Sequence, residues 1–90
     1  MKKQVLIYYS GRVQGIGFRY TLADIANYQK VRGWVKNLED ARVQVVAEAE
    51  EETLNIFLQQ VNQHFSQYIK DVNIEWLPAS GEFRDFSIKF

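Results

Sequence analysis

Apolar side chains recur along this chain with two periods, and the switches between them mark the elements. Val5-Leu6-Ile7-Tyr8-Tyr9 is a compact apolar run bounded by polar residues and reads as a strand. From Phe18 the spacing changes. Phe18, Leu22, Ile25 and Ala26 return every three or four residues with Val31 in step, which predicts an amphipathic helix over residues 18 to 30. Alternation resumes in Val31-Arg32-Gly33-Trp34-Val35-Lys36-Asn37 and again where Val43, Val45 and Ala47 alternate with Gln44 and Glu48. The stretch Leu38-Glu39-Asp40-Ala41 between them predicts a hairpin. Leu54, Phe57, Leu58, Val61 and Phe65 give a second helix over about residues 51 to 65, and Glu50, Glu51 and Glu52 suit the positive end of its dipole. Val72, Ile74 and Trp76 then alternate with Asp71, Asn73 and Glu75. After the turn Pro78-Ala79-Ser80-Gly81, a last alternation runs through Phe86, Ile88 and Phe90.

The order is βαββαβ with a short final strand. It predicts an α+β fold of two interleaved split βαβ units: a mostly antiparallel sheet with both helices on one face, the ferredoxin-like arrangement. Ninety residues are expected to form one domain over positions 1–90, with no linker or repeat. That architecture hosts many unrelated activities, RNA recognition among them, so function must come from particular residues.

Composition narrows the chemistry. With no cysteine in the sequence, disulfides, thiolate nucleophiles and zinc–thiolate sites are excluded, and the single histidine, His64, cannot make a histidine metal cluster. Neither metal nor cofactor is expected. Eleven basic residues balance eleven acidic ones, so no general attraction to nucleic acid or to an anionic membrane is expected. The apolar N-terminal run is too short for a signal peptide or a membrane span. The expectation is a cytoplasmic monomer whose affinity for anions, if any, is local.

That local feature lies at residues 11 to 19, Gly-Arg-Val-Gln-Gly-Ile-Gly-Phe-Arg. Three glycines fall within seven positions, between a strand and a helix start. Glycine allows sharp turns and close approach, so consecutive N–H groups can converge on an oxyanion, and the free N–H groups and dipole of a helix N-terminus favour negative charge. The loop residues in question are Arg12, Val13, Gln14, Gly15, Ile16 and Gly17. Gln14 is expected to act through its backbone N–H, and Arg12 to stand as an outlying cation. Arg19 opposes the dipole in the first helical turn, and no acid precedes Asp24 to neutralise it. A bound phosphate would offset that repulsion. The plainer alternative is that Gly15 and Gly17 serve a tight turn and Arg19 lies in solvent.

Residues 11–19, followed by Gly33-Trp34-Val35-Lys36-Asn37 and Val43 to Glu48, closely resemble the two signature blocks of the acylphosphatase family, and Gly81 to Phe90 resembles that family's last strand. The resemblance implies hydrolysis of small acyl phosphates to a carboxylate and inorganic phosphate, with phosphate also acting as inhibitor. It implies that the loop amides and Arg19 bind the phosphoryl group and that Asn37 orients the attacking water. Two positions depart from the family pattern, Ala41 at the hairpin turn and Ala49 at the expected strand-to-helix junction, where glycine is usual. Taken alone, Asn37 also fits a strand-end turn former. His64 reads as a surface residue, and Trp34 as packing or a pocket wall.

The chemistry is consistent with the residues. The leaving group of an acyl phosphate is a carboxylate of pKa near ~4, which needs no general acid. Phosphoryl transfer asks chiefly for positioning and charge stabilisation, which N–H groups and a guanidinium supply. An asparagine holds water without titrating. Two rivals remain at this point: an RNA-recognition-like sheet, on the faint echo in Arg32-Gly33-Trp34-Val35, and an anion-binding regulator or a relative of the acylphosphatase-like domain of hydrogenase-maturation carbamoyltransferases. Neutral net charge and a missing run of alternating aromatics count against the first. The length of ninety residues counts against the carbamoyltransferase relative.

Overall fold

The computed structural model describes every residue from Met1 to Phe90. Seven elements follow one another: β1 (Lys2–Gly11), α1 (Phe18–Tyr28), β2 (Arg32–Asn37), β3 (Val43–Glu50), α2 (Glu51–His64), β4 (Ile69–Pro78) and β5 (Phe86–Lys89). The strands form one sheet in the order β4-β1-β3-β2-β5. Every pairing is antiparallel except that of β5, which runs parallel to β2.

Alternation decides which face is covered. On β1 and β3 the pairs Val5 with Ala47, Ile7 with Val45 and Tyr9 with Val43 put fully buried side chains on one face. Val35 of β2 joins them opposite Val45. Both helices lie on that face, α1 over β2 and β5, α2 over β3 and β1. Phe18, Leu22 and Ala26 from α1 and Leu54, Phe57, Leu58 and Val61 from α2 close one core of 19 residues. At about 1.5–3 kcal/mol per large side chain, this core is what offsets the backbone entropy of so short a chain.

β2 and β3 approach so closely at Gly33, where φ is 141°, that a Cβ there would overlap the Val46 carbonyl oxygen. The opposite face of the sheet is polar and aromatic. There Gln44 Nε2 donates to the Tyr8 hydroxyl at 3.1 Å, and the Lys89 ammonium lies 4.4 Å from the centre of the Trp34 ring. Trp34 is therefore no pocket wall.

The element boundaries differ from the periodic reading in instructive ways. α1 stops at Tyr28 rather than residue 30, closed by a Schellman turn in which Val31 N–H donates to the Ala26 carbonyl at 2.8 Å and Lys30 N–H to that of Asn27 at 3.1 Å. Lys30 adopts φ 60°, and buried Val31 returns to the core as the apolar partner of that turn. Phe65 likewise belongs to the α2 stripe yet caps the helix, which ends at His64. β4 extends from Ile69 to Pro78, beyond the three apolar positions that revealed it, because its backbone pairs along the whole length of β1. Ala49 lies inside β3 opposite Lys3 with no positive φ, so alanine is unstrained there.

Candidate active site

The loop from Arg12 to Gly17 joins the end of β1 to the start of α1, and three tethers fix it. Arg12 N–H donates to the Tyr68 carbonyl at 2.8 Å. Val13 is fully buried in the core. Burial of such a side chain contributes about 1.5–3 kcal/mol, enough to offset the ordering of its own backbone. Gln14 Nε2 donates to two carbonyls of the β2–β3 hairpin, Leu38 at 2.8 Å and Arg42 at 2.9 Å. The Gln14 side chain thus bolts the loop to the hairpin that carries Asn37, while its backbone N–H makes no bond within the protein.

Between these tethers the chain turns twice through left-handed glycines, Gly15 at φ 81° and Gly17 at φ 77°. Gly17 is the N-cap of α1, and no side chain caps that end. Arg12 N–H is bonded to Tyr68 and Thr21 N–H to Gly17, but none of the eight amides from Val13 to Tyr20 donates to a protein acceptor. Val13, Gly15, Gly17, Phe18, Arg19 and Tyr20 line one pocket of about 170 Å³, together with Asn37. A row of free N–H donors, the positive end of a helix and a guanidinium thus share one small concavity.

Arg19 is half-buried, and it does have internal partners. Its Nη1 donates to the Lys89 carbonyl at 3.2 Å, and its guanidinium lies 4.8 Å from the centre of the Phe90 ring. The end of the chain thus steadies the arginine with a carbonyl and a π-face, neither of which neutralises its charge. The remaining donors of a guanidinium with five N–H bonds stay free for a ligand.

Asn37 enters from β2. Alternation places Gly33, Val35 and Asn37 on the helix-covered face, and Asn37 ends the strand opposite Val43, where α1 begins. Its Oδ1 is buried without a hydrogen-bond partner. A buried amide oxygen left unpaired costs about 1–3 kcal/mol, so it is a position suited to accept a hydrogen bond from a small ligand. The hairpin beyond it is a type I turn closed by Ala41 N–H to the Leu38 carbonyl at 3.3 Å, with Ala41 left-handed at φ 76°.

The other predicted residues disperse. Arg12 is exposed and lies outside the pocket lining, with only its backbone engaged. Ile16 turns its side chain to a neighbouring groove that also includes His64. Sequence reasoning missed Glu48, a buried carboxylate on the open face of the sheet. Its oxygens accept from Gln4 Nε2 at 2.6 Å, from Ser80 N–H at 2.7 Å and Oγ at 2.6 Å, and from Gly81 N–H at 3.0 Å. Burial raises its pKa, but these donors outweigh burial and hold it below the ordinary 4.5. The alternation gave it no signal, since Gln44 and Glu50 hold the same outward-facing positions on β3.

Comparison with known proteins points to one family. The acylphosphatase family profile matches residues 5–88. An acylphosphatase of Bacillus velezensis is 44% identical over 82 residues, covering 89% of this chain and 90% of that one. One from Clostridium acetobutylicum is 36% identical over 92 residues, the full length of both. The crystal structure of acylphosphatase from Bacillus subtilis superposes with a TM-score of 0.91 at 37% identity, covering 98% of this chain and 99% of that one.

Proposed function

The chain belongs to the acylphosphatase family, and from that premise we propose that it hydrolyses small acyl phosphates by direct attack of water on phosphorus. The phosphoryl oxygens take hydrogen bonds from the free amides between Val13 and Tyr20 and from the Arg19 fork. Charge on those oxygens is met by donors already fixed in place, which is where preorganisation lowers a barrier. Asn37 accepts a hydrogen bond from water through Oδ1 and sets its oxygen on the phosphorus. The water oxygen forms the new P–O bond while the bond from phosphorus to the acyl oxygen breaks, its electron pair leaving with the carboxylate. The water proton passes to a phosphate oxygen or to solvent, so the products are a carboxylate and inorganic phosphate. Arg19 supplies the positive charge, and the reaction as proposed uses no metal.

The observation that carries this reading is the convergence, on one pocket of about 170 Å³, of free loop amides, Arg19 and the unpartnered Oδ1 of Asn37. Phosphate release from benzoyl phosphate in EDTA, with p-nitrophenyl phosphate as the monoester control, tests it. Hydrolysis of the acyl phosphate alone is expected. Loss of activity in chelator, or equal turnover of the monoester, contradicts the reading.

A further inference from the structure

A second concavity of about 430 Å³ abuts the outer side of the cradle. Ile16 forms its rim, while the glycines on either side of Ile16 line the cradle itself. Apart from Phe65 and Tyr68, the rest of the groove is polar: Thr21 from α1, and Gln63, His64, Ser66 and Gln67 from the end of α2 and the turn after it. None of these five side chains makes a hydrogen bond within the protein. The turn is firmly held, with Tyr68 and Ile69 N–H both donating to the Phe65 carbonyl at 2.9 and 3.0 Å, and the Tyr68 carbonyl receives Arg12 N–H from the cradle loop.

The sheet order gives the groove its relation to the reaction. β1, which delivers the cradle, stands between β4 on one side and β3 and β2 on the other. Asn37 comes from the β2 side, and the turn from Phe65 to Tyr68 leads into β4 on the opposite side. In phosphoryl transfer the attacking and leaving oxygens lie roughly in line across phosphorus. With water on the β2 side, the leaving carboxylate departs on the side of phosphorus away from β2, the side on which the turn into β4 lies.

We propose that this groove is the acyl-group subsite and that it selects acyl chains carrying a second oxygen function three or four carbons along, which the free donors of Gln63, His64, Ser66 and Gln67 can bind. This rests on the acylphosphatase reading above. A chain of plain methylenes offers those exposed side chains no acceptor in place of water, whereas a distal carboxylate gives them a charged one. Acetyl phosphate ends short of the groove and is indifferent to it.

The test compares acetyl, butyryl and succinyl phosphates, the last two equal in chain length and differing in the terminal carboxylate. The wild type should show a kcat/KM for succinyl phosphate about tenfold above that for butyryl phosphate, the scale of one or two net hydrogen bonds. The double variant Gln63→Leu/Gln67→Leu should bring that ratio close to one. Its kcat/KM for acetyl phosphate should stay within twofold, which also controls for folding. A wild-type ratio near one, or a ratio unchanged in the variant, overturns the subsite. Failure to hydrolyse any of the three would instead overturn the acylphosphatase reading.

Discussion

Ala41 sits at φ 76° with an L side chain, a conformation that costs roughly 1–2 kcal/mol. Ala41→Gly removes that cost and adds unfolded-state entropy. It should therefore stabilise the protein by about 0.5–1 kcal/mol, seen as a higher urea midpoint; a lower midpoint would mean that the turn does not need the left-handed residue. Tyr9 presents the reverse case. Its ring packs edge-on to Phe18 with centroids 5.2 Å apart, but its hydroxyl is buried without a partner, and burial pushes its pKa well above the ordinary 10.0. Tyr9→Phe keeps the ring and deletes the orphan group, so the thermal midpoint should hold or rise, by up to about 1–3 kcal/mol in stability. The strain at Ala41 was legible in the sequence because turn chemistry is local. The orphan hydroxyl of Tyr9 was not, since a tyrosine in an apolar run says nothing about where its oxygen ends.

Between elements, the contacts that matter join segments distant in sequence. Gln14 spans from the β1–α1 loop to the β2–β3 hairpin with bonds of 2.8 and 2.9 Å, fixing the cradle relative to Asn37. Gln14→Ala should lower kcat roughly tenfold while phosphate inhibition changes less, because alignment of water with phosphorus suffers more than anion binding. A fall in phosphate affinity as large as the fall in kcat would contradict that split. Glu48 clamps the β4–β5 connection through Ser80 and Gly81. Its folded pKa lies below the ordinary 4.5, so its stabilisation is present above that pH and is lost as pH falls through the folded value. Wild type should lose stability more steeply below about pH 4.5 than Glu48→Gln, as read from urea midpoints across the acid range. Both contacts escaped sequence reading for the same reason. Period and spacing place an element's face, but hydrogen-bond partners tens of residues apart exist only after the sheet has formed.

For the molecule as a whole, the alternating and helical patterns foretold the βαββαβ order and the helix-covered face, whereas the meeting of residues 11–19 with Asn37 near one end of the sheet was implied only by the family resemblance. They left open how the end of the chain reaches Arg19, because that contact depends on β5 entering parallel beside β2. Folding and site are linked through that architecture. An anion bound only by the folded cradle should raise the thermal midpoint with phosphate concentration, by about 2.7 kcal/mol at a hundredfold excess over Kd, where sodium chloride of equal ionic strength does not. The division of labour within the site is the central claim, and paired kinetics of Arg19→Gln and Asn37→Ala test it most directly, with circular dichroism as the folding control. Arg19 meets oxygens present in both substrate and transition state, so Arg19→Gln should weaken phosphate inhibition and slow turnover together. Asn37→Ala should leave the phosphate inhibition constant within a few-fold of wild type while kcat falls about 10²-fold or more. An Asn37→Ala protein with near-normal kcat, or an Arg19→Gln protein inhibited by phosphate as strongly as wild type, would contradict the account.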